Sequence, residues 1–384
     1  MVTGAYFPEV SGGGLQCRTL ALALRASIDF TILTTTTVAS APARDSVDGL
    51  PVYRVFVDPA RRASRVRAAL TMARLLPGLL RRTDVVHLHG FTRKMLLLVP
   101  LAKSMRIPVL AKMTSVGHDD PIALRARMGP LALRVFSMAD RFVSISPAMT
   151  DRYLQSTLRE DRLAFLPNGV DVERFRPVGP DERRDLRQTL GLPLDGVLVI
   201  FVGFWSREKA PDVLFDAWRQ AAEGSGVTSA LIFVGATAHH GEVEPGYVAD
   251  LQARITRSGA RVRQFERTLQ IEHLLAAADI FALPSTREGL SNALLEAMAT
   301  GLACVTAQIP GVTEWILPDA DTGVTVPPGN VDALSRVLRI LLLDDRARQK
   351  MGMRARAAAV ERFSIQAVAG RYSDMYRDLS ADRS

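Results

Sequence analysis

Cysteine and long apolar runs are scarce in this sequence. Only Cys17 and Cys304 occur in 384 residues, and because they lie far apart, neither a disulfide framework nor a cysteine-based metal cluster is indicated. No apolar run approaches the ~18 residues that a membrane-spanning helix needs. Met1 is followed directly by a glycine-containing loop, so no secretory signal is predicted. These absences predict a cytoplasmic protein in a reducing compartment, either free or at the inner face of the membrane.

Acidic residues are scarce in the first half of the chain. Residues 1–180 contain 25 Lys and Arg against 14 Asp and Glu, whereas residues 181–384 contain 23 against 26. A basic half of this kind indicates nucleic acid, an anionic membrane surface or a phosphorylated substrate as partner. Nucleic acid is not predicted, because no helix-turn-helix, zinc finger or aromatic platform accompanies the charge. The arginine-rich segment 61–82 is interpreted as a core-facing surface helix, with peripheral membrane contact as the alternative.

Short apolar runs alternate with helical segments along the chain. Such alternation predicts parallel, doubly wound sheets, which bind ligands beyond the carboxyl ends of their strands. A chain of 384 residues is long enough for two such domains. The predicted strands are residues 28–33, 51–57, 85–89, 108–113 and 141–145 in the first half, and 197–203, 230–235, 261–265, 279–283 and 302–307 in the second.

The stretch 284–301, with the sequence PSTREGLSNALLEAMATG, follows one of these runs and predicts the start of a helix. Ser291 is a suitable N-cap and Gly301 a suitable glycine after the last turn, so the predicted helix covers residues 292–300. The free backbone N–H groups and the positive end of the helix dipole make the start of this helix an anion site. The residues expected to face the anion are Gly289, Leu290 and Ser291.

Two carboxylates accompany this predicted anion site. Glu296 leans back toward the start of the helix, because helical side chains tilt toward the N-terminus. Glu288 lies in the loop just before the helix. Carboxylates accept hydrogen bonds from vicinal hydroxyls such as those of a ribose. The alternative is an ordinary surface helix with two solvated glutamates.

The spacing of Glu288 and Glu296 resembles the Glu-seven-residues-Glu signature of retaining nucleotide-sugar glycosyltransferases of family 4. That family has the GT-B fold, in which two Rossmann-like α/β domains face a deep cleft and a C-terminal helix crosses back to the N-terminal domain. Its first glutamate contacts the transferred sugar and its second holds the nucleotide ribose, and the resemblance implies these roles here. The string PNGVDVERF at 167–175 resembles the interdomain linker of the family. The implied domains are 1–176, completed by 365–384, for the acceptor, and 177–364 for the donor.

The segment 203–210, with the sequence GFWSREKA, follows a predicted strand of the second half. In family 4 an arginine comes directly after the glycine and a lysine follows some residues later, and both bind the donor diphosphate. The resemblance implies this role for Lys209, whereas Phe204 occupies the arginine position. We expect Arg207 to reach the diphosphate instead, since a guanidinium binds phosphate bidentately.

Glycines mark further expected ligand contacts. Gly203 and Gly235 end two predicted strands, where a nucleotide can lie against the backbone. The triplet 12–14 precedes a predicted helix, and Gly13 and Gly14 allow a ligand to approach the backbone closely. The alternative for this triplet is a flexible turn. In similar proteins the loop lies near the donor phosphates and the acceptor.

Histidines follow two strands of the first half. In family 4 a functional histidine just after the strand predicted at 108–113 contacts the transferred sugar. Thr114 falls at the most direct alignment, and His118 is the candidate histidine, with a surface-loop histidine as the alternative. His87 and His89 share one face of their strand, and the resemblance implies that they shape the acceptor cleft. They lack a third nearby residue that would complete a metal site.

The resemblance implies a retaining hexosyl- or related transferase that moves a sugar from a nucleoside diphosphate sugar to a hydroxyl acceptor. The acceptor is a glycan, a lipid-linked molecule or a small molecule, and the implied setting is polysaccharide biosynthesis. No metal or other cofactor is expected, because cationic side chains and a helix dipole balance the diphosphate. Two alternatives stay open: a sugar-nucleotide epimerase of the same fold, and a degenerate subunit that binds nucleotide sugar without turnover. His239 and His240 are expected to be solvated.

Overall fold

The computed structural model describes residues 1–381 apart from Val10, residues 238–242, Arg267 and Leu269. His239 and His240 therefore lie outside the described residues. The chain divides into two compact units. The first unit combines Met1–Gly169 with the C-terminal segment that starts at Ile365, and the second unit is Val170–Ser364.

The first boundary between the units lies before Val170, whereas the sequence predicted it after residue 176. The backbone N–H of Val170 donates a hydrogen bond to the carbonyl of Phe363 at 2.8 Å. The guanidinium of Arg356 donates to the carbonyl of Phe175 at 2.6 Å. These bonds attach the segment after Gly169 to the second unit.

The first unit contains an eight-stranded sheet. Its strands lie in the order β3-β4-β2-β1-β5-β6-β7-β8, and all neighbours are parallel except β3 and β4. Chain order reverses between β1 and β5, which is the kind of switch point where such sheets bind ligands. The strands are β1 (Val2–Thr3), β2 (Ile32–Thr36), β3 (Arg44–Val47), β4 (Leu50–Phe56), β5 (Val86–His89), β6 (Val109–Lys112), β7 (Arg141–Ser144) and β8 (Leu163–Phe165).

Helices cover both faces of this sheet. One face packs in a hydrophobic core under the second, third and fifth helices, with Met72, Leu98 and Phe136 among its buried side chains. The other face lies under the first helix and the C-terminal helix. The helices are α1 (Gly12–Leu24), α2 (Arg62–Leu80), α3 (Met95–Ser104), α4 (Pro121–Met128), α5 (Pro130–Phe136), α6 (Pro147–Leu154) and, at the end of the chain, α15 (Ile365–Ala381).

The strand after α1 begins later than the sequence predicted. The prediction placed a strand at 28–33, but β2 starts only at Ile32. The backbone N–H of Ile28 donates to the carbonyl of Leu24 at 3.0 Å. Residue 28 therefore completes the last turn of α1 instead of starting a strand.

The second unit contains a six-stranded sheet in which all neighbours are parallel. Its strands are β9 (Val197–Val202), β10 (Ser229–Val234), β11 (Val262–Phe265), β12 (Ile280–Leu283), β13 (Ala303–Ala307) and β14 (Val324–Val326). They lie in the order β11-β10-β9-β12-β13-β14, so chain order reverses between β9 and β12. Both units are doubly wound α/β domains, as predicted.

The helices of the second unit pack on the two faces of its sheet. They are α7 (Pro180–Thr189), α8 (Pro211–Glu223), α9 (Pro245–Ser258), α10 (Ile271–Ala277), α11 (Asn292–Thr300), α12 (Thr313–Ile316), α13 (Val331–Leu343) and α14 (Asp345–Phe363). The strands β9, β10, β12 and β13 are buried almost throughout. Burial on both faces explains their continuous apolar sequences.

Candidate functional site

Two loops meet at the carboxyl edge of the second sheet, at its switch point. Segment 203–210 follows β9 and segment 284–291 follows β12, and these strands are neighbours. The backbone N–H of Thr286 donates to the carbonyl of Glu208 at 2.8 Å. The amine of Lys209 donates to Glu288 Oε1 at 2.7 Å. The sheet order therefore brings together two residues that the sequence analysis assigned to one ligand.

The loop after β9 is anchored so that Lys209 has a fixed position. Trp205 is buried, and its ring lies 5.0 Å from that of Phe233. The backbone N–H groups of Lys209 and Ala210 both donate to the carbonyl of Ser206 at 3.0 Å. The side chain of Lys209 is 21% exposed and that of Glu288 is 7% exposed. Their ion pair is thus largely shielded from water, which strengthens it.

The helix α11 follows Glu288 and has the bounds that the sequence predicted, Asn292–Thr300. The hydroxyl of Ser291 caps it by accepting from the backbone N–H of Leu294 at 3.3 Å. Gly301 ends it in the left-handed region, with a φ of 81°. No acidic residue lies in the first turn, so the positive end of the dipole is not neutralised there. The predicted helix start and both caps are confirmed.

Glu296 lies on α11, one helical turn beyond its start. Removal from water raises the pKa of its carboxyl to about 8, although Arg174 acts in the opposite direction. The guanidinium of Arg174 donates to Glu272 at 2.7 Å. Sequence reasoning missed this pair because 98 residues separate its members.

Arg207 does not lie with Lys209 and Glu288 in this structure. Its guanidinium donates to Glu244 at 2.9 Å and stacks over the ring of Tyr247 at 5.1 Å. The side chain is 68% exposed. Its expected contact with a diphosphate therefore requires Arg207 to leave Glu244, and the role stays a prediction.

Gly203 and Gly235 directly follow β9 and β10 and lie against each other. The backbone N–H of Gly203 donates to the carbonyl of Val234 at 3.0 Å. A Cβ on Gly235, whose φ is 146°, would lie 1.9 Å from the carbonyl oxygen of Gly203. Close packing of two strand ends is thus enough to require glycine at Gly235, whether or not a nucleotide binds there.

Gly13 and Gly14 lie in the first turn of α1, at the switch point of the first sheet. A Cβ on Gly14 would lie 2.3 Å from the carbonyl oxygen of Ala5, whereas a Cβ on Gly13 would meet no atom closer than 3.8 Å. Gly14 is therefore required by the fold. Gly13 has room for a side chain, so packing does not explain why glycine occurs there. Close approach of a ligand to the backbone would explain it.

The loop after β6 is held by a buried carboxylate that sequence reasoning missed. Asp119 accepts from the hydroxyl of Thr114 at 2.7 Å and from the backbone N–H of Ser115 at 2.8 Å. Burial raises the pKa of Asp119, although these bonds oppose the shift. His118 is exposed, and its carbonyl accepts from Arg127 at 3.3 Å. The sugar contact predicted for Thr114 or His118 stays a prediction.

His87 and His89 are buried side by side. Their ring centres are 4.2 Å apart, and His87 Nδ1 lies 2.7 Å from the hydroxyl of Tyr376 on α15. Burial is the main cause that lowers the pKa of both histidines well below the ordinary value. His87 is thus an interior residue of the first unit. No cluster of three or more metal-ligating side chains occurs among the described residues.

No helix among the described residues is both long enough and apolar enough to cross a bilayer.

Both halves of the chain match models of protein families. Residues 182–358 match "Glycosyl transferases group 1", and residues 11–169 match "Glycosyl transferase 4-like domain". The chain is 33% identical over 230 residues to D-inositol 3-phosphate glycosyltransferase of Xylanimonas cellulosilytica, which covers 58% of this chain and 53% of that relative. It is 30% identical over 253 residues to alpha-maltose-1-phosphate synthase of Mycolicibacterium smegmatis, covering 63% of this chain and 64% of the relative. The chain thus spans less than two thirds of either relative.

Solved structures share the fold over nearly the whole chain. Anabaena Alr3699/HepE in complex with UDP and glucose superposes with a TM-score of 0.78 at 22% identity, covering 97% of this chain and 98% of that one. Sucrose-phosphate synthase from Thermosynechococcus elongatus gives a TM-score of 0.78 at 19% identity, covering 99% of both chains. At these identities the similarity establishes the architecture of the two α/β units.

Proposed function

The chain belongs to the group 1 glycosyltransferases of family 4, and we propose that it transfers a sugar from a nucleoside diphosphate sugar to a hydroxyl acceptor with retention of the anomeric configuration. The observation that carries this proposal is the contact between Lys209 and Glu288, 2.7 Å long, just before the N-terminus of α11. A cation, a carboxylate and a helix start at one switch point fit the diphosphate, the sugar and the ribose of such a donor.

Departure of the nucleoside diphosphate is the difficult step, because negative charge develops on the leaving phosphate. The amine of Lys209 and the N-terminus of α11 are placed to stabilise that charge. When the donor enters, its phosphate competes with Glu288 for this amine. The released Glu288 carboxylate then accepts hydrogen bonds from the sugar hydroxyls, and Glu296 accepts them from the ribose. Both contacts orient the donor for attack.

The acceptor hydroxyl attacks the anomeric carbon on the face from which the diphosphate leaves. The bond from the anomeric carbon to the diphosphate oxygen breaks, the bond to the acceptor oxygen forms, and a phosphate oxygen takes the acceptor proton. The proposal includes no covalent intermediate. It also includes no metal, since Lys209 and the helix dipole supply the positive charge.

UDP-glucose is the first donor to test. Two solved structures with this fold hold UDP with glucose, or UDP-glucose. Relatives include an enzyme named as a UDP-galactose-dependent galactosyltransferase acting on a diphosphoundecaprenol-linked sugar, 27% identical over 226 residues. The two structures support a uridine nucleotide in the donor. The lipid-linked sugar acceptor of the named relative supports a role in polysaccharide biosynthesis, with a sugar hydroxyl as the acceptor group.

Peripheral contact with an anionic membrane is a second part of the proposal. The helix α2 buries Met72, Leu76 and Leu80, while Val66 and Leu70 are 60% and 54% exposed. Exposed apolar residues among arginines favour the surface of an anionic bilayer. Co-sedimentation with vesicles of phosphatidylglycerol, compared with phosphatidylcholine, tests it, and equal binding to both would contradict it.

A donor screen followed by product analysis tests the proposed transfer. We expect one nucleoside diphosphate sugar to raise the melting temperature by linkage, and a new glycosidic product to form with a suitable acceptor in the presence of EDTA. Isomerisation of the donor without an acceptor would indicate the epimerase instead. Binding without hydrolysis or transfer would indicate the non-catalytic subunit, and no response to any donor would refute the donor site.

A further inference from the structure

Lys112 and His89 are buried next to each other at the carboxyl edge of the first sheet. They end β6 and β5 and are partners in the parallel register. Each is only 3% exposed. The amine of Lys112 lies 5.6 Å from the centre of the Tyr372 ring, and the His89 ring packs on that of His87, which in turn lies 5.2 Å from Tyr372. Both side chains therefore lie on the face that α15 covers.

Neither side chain has a hydrogen-bond acceptor among the residues that the structure describes. Both ring nitrogens of His89 are buried without a partner, and the described contact of the Lys112 amine is with the face of the Tyr372 ring. The thiol of Cys17 interacts electrostatically with Lys112, but burial raises the pKa of that thiol to about 12, so it carries no charge. The carboxylate of Asp119 is already bound by the backbone and hydroxyl groups of the loop after β6.

A comparison with Lys94 shows that the fold does not require this arrangement. Lys94 belongs to the same unit, and its amine donates to the carbonyl of Thr3 at 2.6 Å and to the hydroxyl of Thr35 at 3.1 Å. Its bonds tie α3 to β1 and β2, which is a structural role. Lys112 shows no such bonds to the described residues, although the residue is only 3% exposed, and a poorly hydrated amine without an acceptor destabilises the folded state. A ligand that supplies acceptors would remove this penalty.

The N-terminus of α1 lies at the same edge of the sheet. A Cβ on Gly13 would be 3.8 Å from the carbonyl oxygen of His89. The helix has 13 residues, begins with three glycines and has no acidic residue in its first turn. Its dipole therefore adds positive potential at this edge, and its glycines allow a ligand close to the backbone. The amine of Lys112, the imidazole of His89 and the start of α1 therefore lie at the same edge of the sheet.

We propose that Lys112 and His89 bind a phosphate group of the acceptor substrate, so that the acceptor is a phosphorylated hydroxyl compound. A phosphate suits the site better than a carboxylate, because its three free oxygens can face an amine, an imidazole and a helix N-terminus together. Only the identification of the ligand as the acceptor rests on the proposed function. The phosphate site itself follows from the first unit alone.

Lysine-specific NMR on the full chain tests the site directly. The sequence contains only five lysines, at positions 94, 103, 112, 209 and 350, so labelling lysine with 13C at Cε gives a small set of signals. The variant K112M keeps the apolar stem and identifies the Lys112 signal, and K209M identifies that of Lys209. Methyl phosphate, added at constant ionic strength, is the probe for a soluble phosphate monoester. Vesicles that contain phosphatidic acid are the probe for a lipid-borne one.

We expect one of these probes to shift the Lys112 signal and to raise the pKa of its amine, and we expect K112M to weaken phosphate binding at least tenfold. A response to methyl phosphate points to a soluble acceptor, and a response to the vesicles alone points to a lipid-linked acceptor. Without ligand, K112M should melt no lower than the wild type, whereas the control K94M should melt several degrees lower.

A Lys112 signal that responds to neither probe would overturn the proposal, and a melting temperature of K112M as low as that of K94M would then mark Lys112 as structural. Titration with UDP-glucose, followed through the Lys209 signal, reports on the donor site separately. If Lys209 fails to respond while Lys112 does, the proposed transfer is wrong but the phosphate site stands.

Discussion

Lys209 donates a hydrogen bond to Glu288 at 2.7 Å across a separation of 79 residues. The two side chains follow neighbouring strands, β9 and β12, at the point where the chain order of the sheet reverses. In the proposed reaction the two groups contact different parts of one donor. Before the donor binds, their hydrogen bond holds both side chains in place. The pair thus keeps a cation and a carboxylate ready without leaving either one unpaired.

The substitution Lys209→Met removes the cation that stabilises the leaving diphosphate. We expect kcat to fall by about 10²–10³-fold, the range found when one preorganised donor to a developing oxyanion is lost. The substitution Glu288→Gln keeps a hydrogen-bond acceptor for the sugar but removes the charge that pairs with Lys209. Steady-state kinetics with the donor identified in the screen measures both effects.

The same two variants and their double mutant measure the ion pair itself. Removing one partner leaves the other partly buried, which costs about 1–3 kcal/mol of unfolding free energy, and the double mutant should lose less than the sum of the single losses. Urea denaturation gives the coupling energy, which we expect to exceed ~0.5 kcal/mol. Additive losses would show that the pair does not form in solution.

Arg207 is the second cation that we expect to bind the diphosphate, and its pairing with Glu244 provides a matched control. An exposed ion pair is weak, so a diphosphate can take the guanidinium from Glu244. The substitution Arg207→Ala should therefore weaken donor affinity several-fold, whereas Glu244→Ala should leave it unchanged or improve it. Calorimetric titration with the donor measures both. Unchanged affinity in Arg207→Ala would leave Lys209 as the cation that acts on the diphosphate.

Most strands of both sheets could be predicted because their burial on two faces imposes continuous apolar runs. All residues of β9 from Val197 to Phe201 are buried, for example. The strand β4 was predicted at 51–57, but β3, which pairs with it in a hairpin, was missed, since three of the four β3 residues are exposed and its sequence is largely polar. Its signal was the turn Asp48–Gly49, with φ values of 53° and 82°, because Asp-Gly favours such turns.

The parts of the candidate site that depend on local sequence were predictable, and those that depend on sheet order were not. Ser291 and Gly301 bracket α11 through capping geometry that a few neighbouring residues determine. The partners of Lys209, Arg207 and Glu296 come from loops and helices distant in the chain. Gly235 is a third case. The sequence predicted a ligand contact there, but close packing against Gly203 is by itself enough to require glycine.

Glu296 predicts a pH dependence of stability. Its carboxyl keeps its proton in the folded protein up to a pKa of about 8, compared with 4.5 for the ordinary group. Between these values the folded state binds one more proton than the unfolded state, so this group makes the free energy of unfolding fall as the pH rises, by at most about 1.4 kcal/mol per pH unit. Below pH 4.5 its contribution is fully present.

The substitution Glu296→Gln removes this titration with little change of shape. We expect the wild type to lose stability relative to the variant as the pH rises from about 4.5 to about 8, the interval between the two pKa values. Urea denaturation at several pH values measures the difference. Parallel pH profiles would mean that the carboxyl titrates at its ordinary pKa.

Gly13 and Gly14 predict opposite results for the same substitution. A Cβ at Gly14 would lie 2.3 Å from the carbonyl oxygen of Ala5, so Gly14→Ala must displace backbone and should cost about 1–3 kcal/mol of unfolding free energy. A Cβ at Gly13 meets only ordinary contacts, and alanine favours a helix over glycine by up to about 1 kcal/mol. Gly13→Ala should therefore fold at least as well as the wild type.

If a ligand lies against this backbone, Gly13→Ala should still raise KM for donor or acceptor, because the added methyl group occupies the approach to α1. Denaturation and steady-state kinetics on the two variants separate the effects, and a fully active Gly13→Ala enzyme would show that no substrate contacts the start of α1.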